Sequence, residues 1–253
     1  MKNKRFYGWK KDQLDLRDVK YSVSAPIELP KNIDLRSQCP PVYDQKQINS
    51  CVGNSVTFDV QFVSLKQAET YYKDVAPSRL FTYYNARLID GGIIQDEGST
   101  IRSGIKSINT YGSCLDSFWP YNVDKVNNKP IKKSYTEAKK HKSISYSSIN
   151  QVLVTLKTCL ASGYPFVCGI SVYEGFESED AAKTGIIPMP SSNDKPLGGH
   201  AVSFVGFDEG NQWFIGRNSW GDSWGDKGYF YLKYDYILNP ALASDFWTIQ
   251  KIM

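Results

Sequence analysis

Five thiols and two imidazoles are the side chains of this chain best suited to nucleophilic or metal chemistry, and their spacing favours the first. The cysteines stand at 39, 51, 114, 159 and 168, the histidines at 141 and 200. There is no Cys-x-x-Cys pair, and neither histidine lies at zinc-ligand spacing from a cysteine, so a metal site is not expected. An odd cysteine count fits a reducing compartment or one reactive thiol better than a disulfide framework; the sequence leaves open whether Cys39 and Cys114 lie close together. Cys159 and Cys168 sit in apolar runs and read as core thiols. Cys51 differs, because it stands where a loop becomes a helix. Unpaired backbone N–H groups there favour thiolate and should lower its pKa, which suits a nucleophile. Of the two candidate bases, His141 lies within Lys-Lys-His-Lys, where positive neighbours disfavour imidazolium and a solvated position is expected. His200 follows Gly198-Gly199 and opens a β-branched and aromatic run, so its ring should stand where a glycine turn enters a sheet.

The elements that must position these groups follow from periodicity. Loop-like sequence with Pro40 and Pro41 leads into Cys51, after which Val52, Val56, Val60 and Val63 recur at helical spacing and Phe58, Phe62 and Leu65 widen the stripe. This is a buried central helix with Cys51 at its N-terminus. Two more helices are expected near Ser78 and Ser99, each with a hydroxyl residue able to cap. From about residue 165 the pattern changes to short β-branched and aromatic runs separated by glycine turns, ending at residues 245–252. Helices first and antiparallel strands second predict an α+β protein with two lobes and a cleft between them.

Composition sets the outer bounds. The 253 residues are 41% hydrophobic, 14% aromatic and 22% charged, enough to bury a substantial core. No run approaches the length of a membrane-spanning helix, and the first residues lack the apolar centre of a signal peptide. A cytoplasmic protein is expected, or one of the virion or host cytoplasm if viral. The net charge of +4 comes from one stretch, residues 125–142, where seven lysines face Glu137 alone. Tyr135 is the one aromatic interleaved there, too few to suit nucleic acid, so a solvated surface is the expectation and no nucleic-acid or membrane partner is implied.

Pro41-Val42-Tyr43-Asp44-Gln45 with Ser50-Cys51, then Gly199-His200-Ala201-Val202, then Arg217-Asn218-Ser219-Trp220-Gly221 with Trp224-Gly225 and Gly228-Tyr229, resembles the papain and cathepsin family of cysteine peptidases. The resemblance runs from about Leu29 to Ile252, and its most specific part is Asn-Ser-Trp-Gly with Trp-Gly and Gly-Tyr close behind. It implies a papain-like two-lobed fold, with a helical lobe at about 40–121, a β lobe at about 122–253 and the active-site cleft between. By residue, it implies Cys51 as nucleophile, His200 as general base and then acid, Asn218 orienting the imidazole, and Gln45 joining the Cys51 N–H in binding the oxyanion. Trp220 would shield the His200–Asn218 hydrogen bond. Gly98, with Ser99 beside it, resembles the position whose backbone pairs with an extended peptide, so peptides and proteins are the implied substrates and no cofactor is needed. The implied activity is endopeptidase through a Cys51 thioester; a transglutaminase- or deubiquitinase-type acyl transferase and an inactive peptide-binding relative are the alternatives.

Ile48 and Val52 depart from the family signature, which has a cysteine three positions before the nucleophile and an aromatic after it. This resembles the short-leader, xylellain-like branch of bacteria and large viruses. For the pocket holding the second residue before the scissile bond, the resemblance points to Ser244 or Asp245 at the base beside Gly198 and Gly199. Ser244 and an apolar preference are favoured. Residues 1–30, with Phe6, Tyr7 and Trp9 and a mixed-charge stretch at 15–18, form a short leader expected to dock on the catalytic domain, residues 31–253, either covering part of the cleft and restraining activity or packing on the back as a strap that only adds stability.

Overall fold

In chain order the elements are β1 (Trp9–Lys10), β2 (Asn32–Asp34), α1 (Cys51–Lys66), α2 (Arg79–Gly91), β3 (Ser99–Thr100), α3 (Ile101–Tyr111), α4 (Lys132–Ala138), β4 (Ser143–Ser148), α5 (Leu153–Ala161), β5 (Phe166–Tyr173), α6 (Glu179–Thr184), β6 (Pro196–Asp208), β7 (Trp213–Arg217), β8 (Tyr229–Lys233), α7 (Tyr234–Leu238) and β9 (Ala243–Ile252). They come from a computed structural model that describes residues 5–22, 28–92 and 95–253; residues 1–4 and 23–27 of the expected leader lie outside the described residues, as do 93–94. The α+β order matches the expectation.

α1 is apolar around most of its circumference because it has neighbours on every side. It packs on α2 and α3 and, opposite them, on β5, β6 and β9, with Val52, Val56, Phe58, Val60, Phe62 and Val63 all buried. A one-sided stripe would leave part of it in water. Ser78 caps α2 by accepting from the Phe81 N–H at 3.2 Å. Thr100, rather than Ser99, caps α3, accepting from the Ser103 N–H at 3.2 Å. The larger sheet runs β4-β9-β5-β6-β7-β8 with every neighbour antiparallel, and β2 also pairs with β6.

Residues 123–138, grouped with the β lobe in the sequence division, pack instead on α2. Tyr135 donates to Asn85 Oδ1 at 2.9 Å, Arg87 reaches Val126 O and, at 2.9 Å, Asn127 Oδ1, and Ala138 belongs to a cluster with Leu80, Phe81 and Trp119. After β2, the chain returns to the large sheet only at β4. The lysines here lie outward, with Lys125 over the Trp119 ring and Lys133 over Phe118. His141 is not fully solvated as expected: it stacks on Tyr71 with ring centroids 3.5 Å apart. All five cysteines are free, and Cys39 and Cys114 belong to different clusters. No helix among the described residues is long and apolar enough to cross a membrane.

Candidate active site

Cys51 is the first residue of α1 and is fully buried. The backbone N–H groups of Ala201, Gly8, Val52 and Cys51 itself point at its sulfur. Each favours thiolate, but burial is the larger effect and pushes the thiol up. The lowered value expected from the helix terminus alone is therefore reversed in this state, because water cannot reach the sulfur. The Ala201 N–H ties the sulfur to β6 next to His200, and Ser55 on α1 reinforces this by donating to Ala201 O at 2.9 Å.

His200 lies within β6 rather than at its start, because Gly198 and Gly199 are already strand residues paired with β5, and Asn218 directly follows β7, which pairs with β6 up to Ser203 and Arg217. His200 Nε2 lies 2.9 Å from Asn218 Oδ1. A carbonyl oxygen can only accept, so Nε2 carries the proton and Nδ1 keeps the lone pair. Nδ1 has no hydrogen-bond partner among the described residues. Trp220 stacks on the imidazole at 5.1 Å and 25°. Burial lowers the His200 pKa to about 4, against the raising effect of Asn218. Asn218 Oδ1 also accepts from the Ser219 N–H at 2.8 Å.

Gln45, 1% exposed, is held from both ends of its amide. Its Oε1 accepts from Ser219 Oγ at 2.7 Å, and its Nε2 donates to Ile48 O at 3.0 Å and to Phe6 O at 3.1 Å. Tyr121 donates to Gln45 O at 2.9 Å and lies 2.5 Å from Ser50 Oγ, joining the Gln45 loop to the turn before Cys51. Ser219 stands in the Asn-Ser-Trp-Gly motif but was given no role by the sequence reading, and Tyr121 belongs to no motif of that reading.

The expected substrate-binding residues gather around a segment of the chain itself, residues 5–12. β1 pairs with β3 in parallel, Trp9 opposite Ser99, and the Ser99 N–H donates to Gly8 O at 2.8 Å. The Gly98 N–H is already used by Tyr83 Oη at 2.9 Å, so Ser99 rather than Gly98 donates to this segment. What Gly98 supplies is clearance, because a Cβ there would lie 2.1 Å from Gly8 O. Trp9 lies against Gly199 and against Gly169, a position the sequence reading missed; a Cβ at Gly169 would come within 1.9 Å of the indole. Gly198 abuts Tyr7. The Trp9 indole donates to Asp245 Oδ2 at 3.0 Å, and Asp12 N donates to the same oxygen at 2.7 Å. Ser244 Oγ is buried without a partner among the described residues, and of the two candidates it is Asp245 whose carboxylate meets the segment. On the other side, Tyr7 lies edge-on to His200 and Trp220 and donates to Glu177 Oε1, while Arg5 sits 4.5 Å over the Trp220 ring.

A thiol at a helix terminus, an imidazole oriented by an amide oxygen and followed by the N–H that holds that thiol, and an amide fixed in the loop before the helix together suit acyl transfer. Residues 29–240 match the model of the papain family of cysteine proteases, and the chain belongs to that family. It has the papain-like fold and is a cysteine peptidase. A solved structure of xylellain, a cysteine protease from Xylella fastidiosa, superposes with a TM-score of 0.90 at 37% identity over 100% of this chain and 98% of that one. An uncharacterised peptidase C1-like protein of Acanthamoeba polyphaga mimivirus is 40% identical over 98% of this chain and 88% of its own length. Cysteine proteinase 3 of Entamoeba histolytica is 29% identical over 86% of this chain and 66% of its own.

Proposed function

We propose that the chain is an endopeptidase that cleaves through a thioester on Cys51. His200 takes the thiol proton at Nδ1, the thiolate attacks the peptide carbonyl carbon, and the oxyanion is bound by Gln45 Nε2 and the Cys51 N–H. The C–N bond breaks as the imidazolium protonates the leaving amine. Water then attacks the thioester with its proton going to His200, and the acid product leaves with Cys51 restored. The observation that carries this reading is the tautomer set by Asn218, which leaves the Nδ1 lone pair of a buried imidazole free to take a proton, while the N–H of the next residue, Ala201, holds the Cys51 sulfur. Endo- rather than exopeptidase action is supported by residues 5–12, which lie along the cleft from Trp220 past Cys51 to Ser99.

The same segment supports a restraining role for the N-terminal stretch. His200 must protonate the leaving amine, so the amine side of a substrate lies toward His200 and Trp220 and its acyl side toward Ser99. Residues 5–12 run the opposite way, from Arg5 over Trp220 to Gly8 and Trp9 at Ser99. An N–H of Gly8 meets the sulfur instead of a carbonyl carbon, so the segment fills the cleft without offering a bond to cut.

The test is hydrolysis of a denatured protein by the full chain, with the products sequenced. Internal cuts that vanish in Cys51→Ala and fall steeply in His200→Ala support the reading, whereas cuts retained in Cys51→Ala would overturn it.

A further inference from the structure

Glu177 has no role in the chemistry above, yet its carboxylate reaches the wall that the leaving side of a substrate must cross. It ends the short turn Glu174–Glu177 before α6 and accepts from the Tyr7 hydroxyl. The Tyr7 ring lies 6.0 Å from the His200 ring and 6.2 Å from Trp220, so this is the place beside the reacting imidazole. Trp220 stacks on His200 and meets Phe176 edge-on, and Arg5 lies over its indole face at 4.5 Å. The cleft thus holds its own chain on this side with one donor on a carboxylate and one guanidinium on an indole.

We propose that Glu177 and Trp220 form the pocket for the residue immediately after the scissile bond and select a basic side chain, arginine before lysine. The inference rests on the reading of Cys51 and His200 as the reacting pair. A guanidinium can meet both features at once, as a flat cation over the indole and as a donor to the carboxylate. Lysine brings the charge without the flat face, and aspartate or glutamate would be repelled. A substrate runs opposite to residues 5–12, but the wall is the same because the leaving nitrogen must come to His200.

The experiment uses the full chain carrying Arg5→Ala, Tyr7→Ala and Trp9→Ala, which clears the segment's side chains from Trp220, Glu177 and Asp245. Peptides differing only in the residue after the cleaved bond are compared by kcat/KM. Arginine should exceed alanine by about tenfold, glutamate should fall below alanine, and adding Glu177→Gln should collapse the arginine-to-alanine ratio toward one. A flat series, or an arginine preference untouched by Glu177→Gln, would overturn the proposal. Binding of the same peptides to the Cys51→Ala form of this variant, read by calorimetry, decides the matter independently of turnover: tighter binding of the arginine peptide that depends on Glu177 supports the pocket, and equal binding refutes it. Loss of all cleavage with that binding pattern intact would count against the peptidase mechanism and not against the pocket.

Discussion

Asp12 makes the hold of the N-terminal segment depend on pH. Its carboxylate accepts from the Trp247 indole at 2.9 Å and from the Arg102 N–H at 3.2 Å, while its own N–H goes to Asp245. Burial and the neighbouring Asp245 charge raise its pKa from 3.8 to about 6, against the lowering effects of Trp247 and Arg102. Arg102 is itself engaged by Asp18 at 2.6 Å, which limits its help. A carboxyl with a raised pKa in the docked state binds its proton more tightly there than when released. Docking is therefore strongest below about pH 4 and weakens as pH rises through about 6. With the two values about two pH units apart, ionisation of Asp12 costs docking about 3 kcal/mol, or about 100-fold in the released population.

Asp12→Asn removes that charge while keeping an oxygen to accept from Trp247 and Arg102. The assay is the rate of Cys51 alkylation and of hydrolysis of a short fluorogenic peptide by the full chain, variant against parent, at each pH from 4 to 8. Taking the ratio at each pH cancels the titration of Cys51 and His200. The variant should match the parent at pH 4 and fall progressively behind above pH 6, by up to about 100-fold where docking limits activity. A ratio that stays constant across the range would refute the reasoning, and a variant faster than the parent at pH 8 would reverse its sign.

Gln45→Ala should lower kcat by about 100-fold or more with a smaller change in KM, since the amide donates to charge that develops during reaction; steady-state kinetics at saturating peptide checks this. Asp59, fully buried on α1 with Ser203 Oγ donating to one oxygen at 3.3 Å and no partner among the described residues for the other, has its pKa raised well above 3.8 by burial. It stabilises the fold at low pH and loses that contribution as pH rises, by about 1.4 kcal/mol per unit, so Asp59→Asn should flatten the decline of melting temperature between pH 5 and 8. Asp245→Asn should reduce cleavage of peptides with arginine as the second residue before the scissile bond relative to leucine, measured with a matched peptide pair; an unchanged ratio would return Ser244 as the determinant.

Cys51 stood out in the sequence as a thiol opening a helix, whereas the roles of His200, Asn218 and Gln45 came from the resemblance of the short segments around them, and the structure brings the His200 and Asn218 side chains together. Local patterns carry less about electrostatics. The Cys51 thiol read as lowered from its helix position alone, whereas its pKa depends on Gly8 and the surrounding chain that exclude water, and Gly8 lies 43 residues away in sequence. Glu177 was invisible for a related reason, since its partner Tyr7 is 170 residues distant and no motif links the two. Asp59 was hidden inside an apolar stripe, where one polar residue per turn ordinarily marks the solvent side. On a helix surrounded on all sides there is no solvent side, so the rule that reads the helix misplaces its acid.

The contacts of residues 5–12 bear on how any cleft variant behaves in the full chain. Gln45 Nε2, the Ser99 N–H, the Asp245 carboxylate and Glu177 are each engaged by the segment, and each is a group that the proposed mechanism and pockets assign to substrate. A substitution that weakens one of them loosens substrate and segment together. Its effect on apparent KM is then partly cancelled, because the competitor it must displace is weakened too. Substitutions on the segment's own side, at Tyr7, Trp9 or Asp12, change the competitor alone, so the two classes separate once each is measured both in the parent and in a background with the segment's anchors removed.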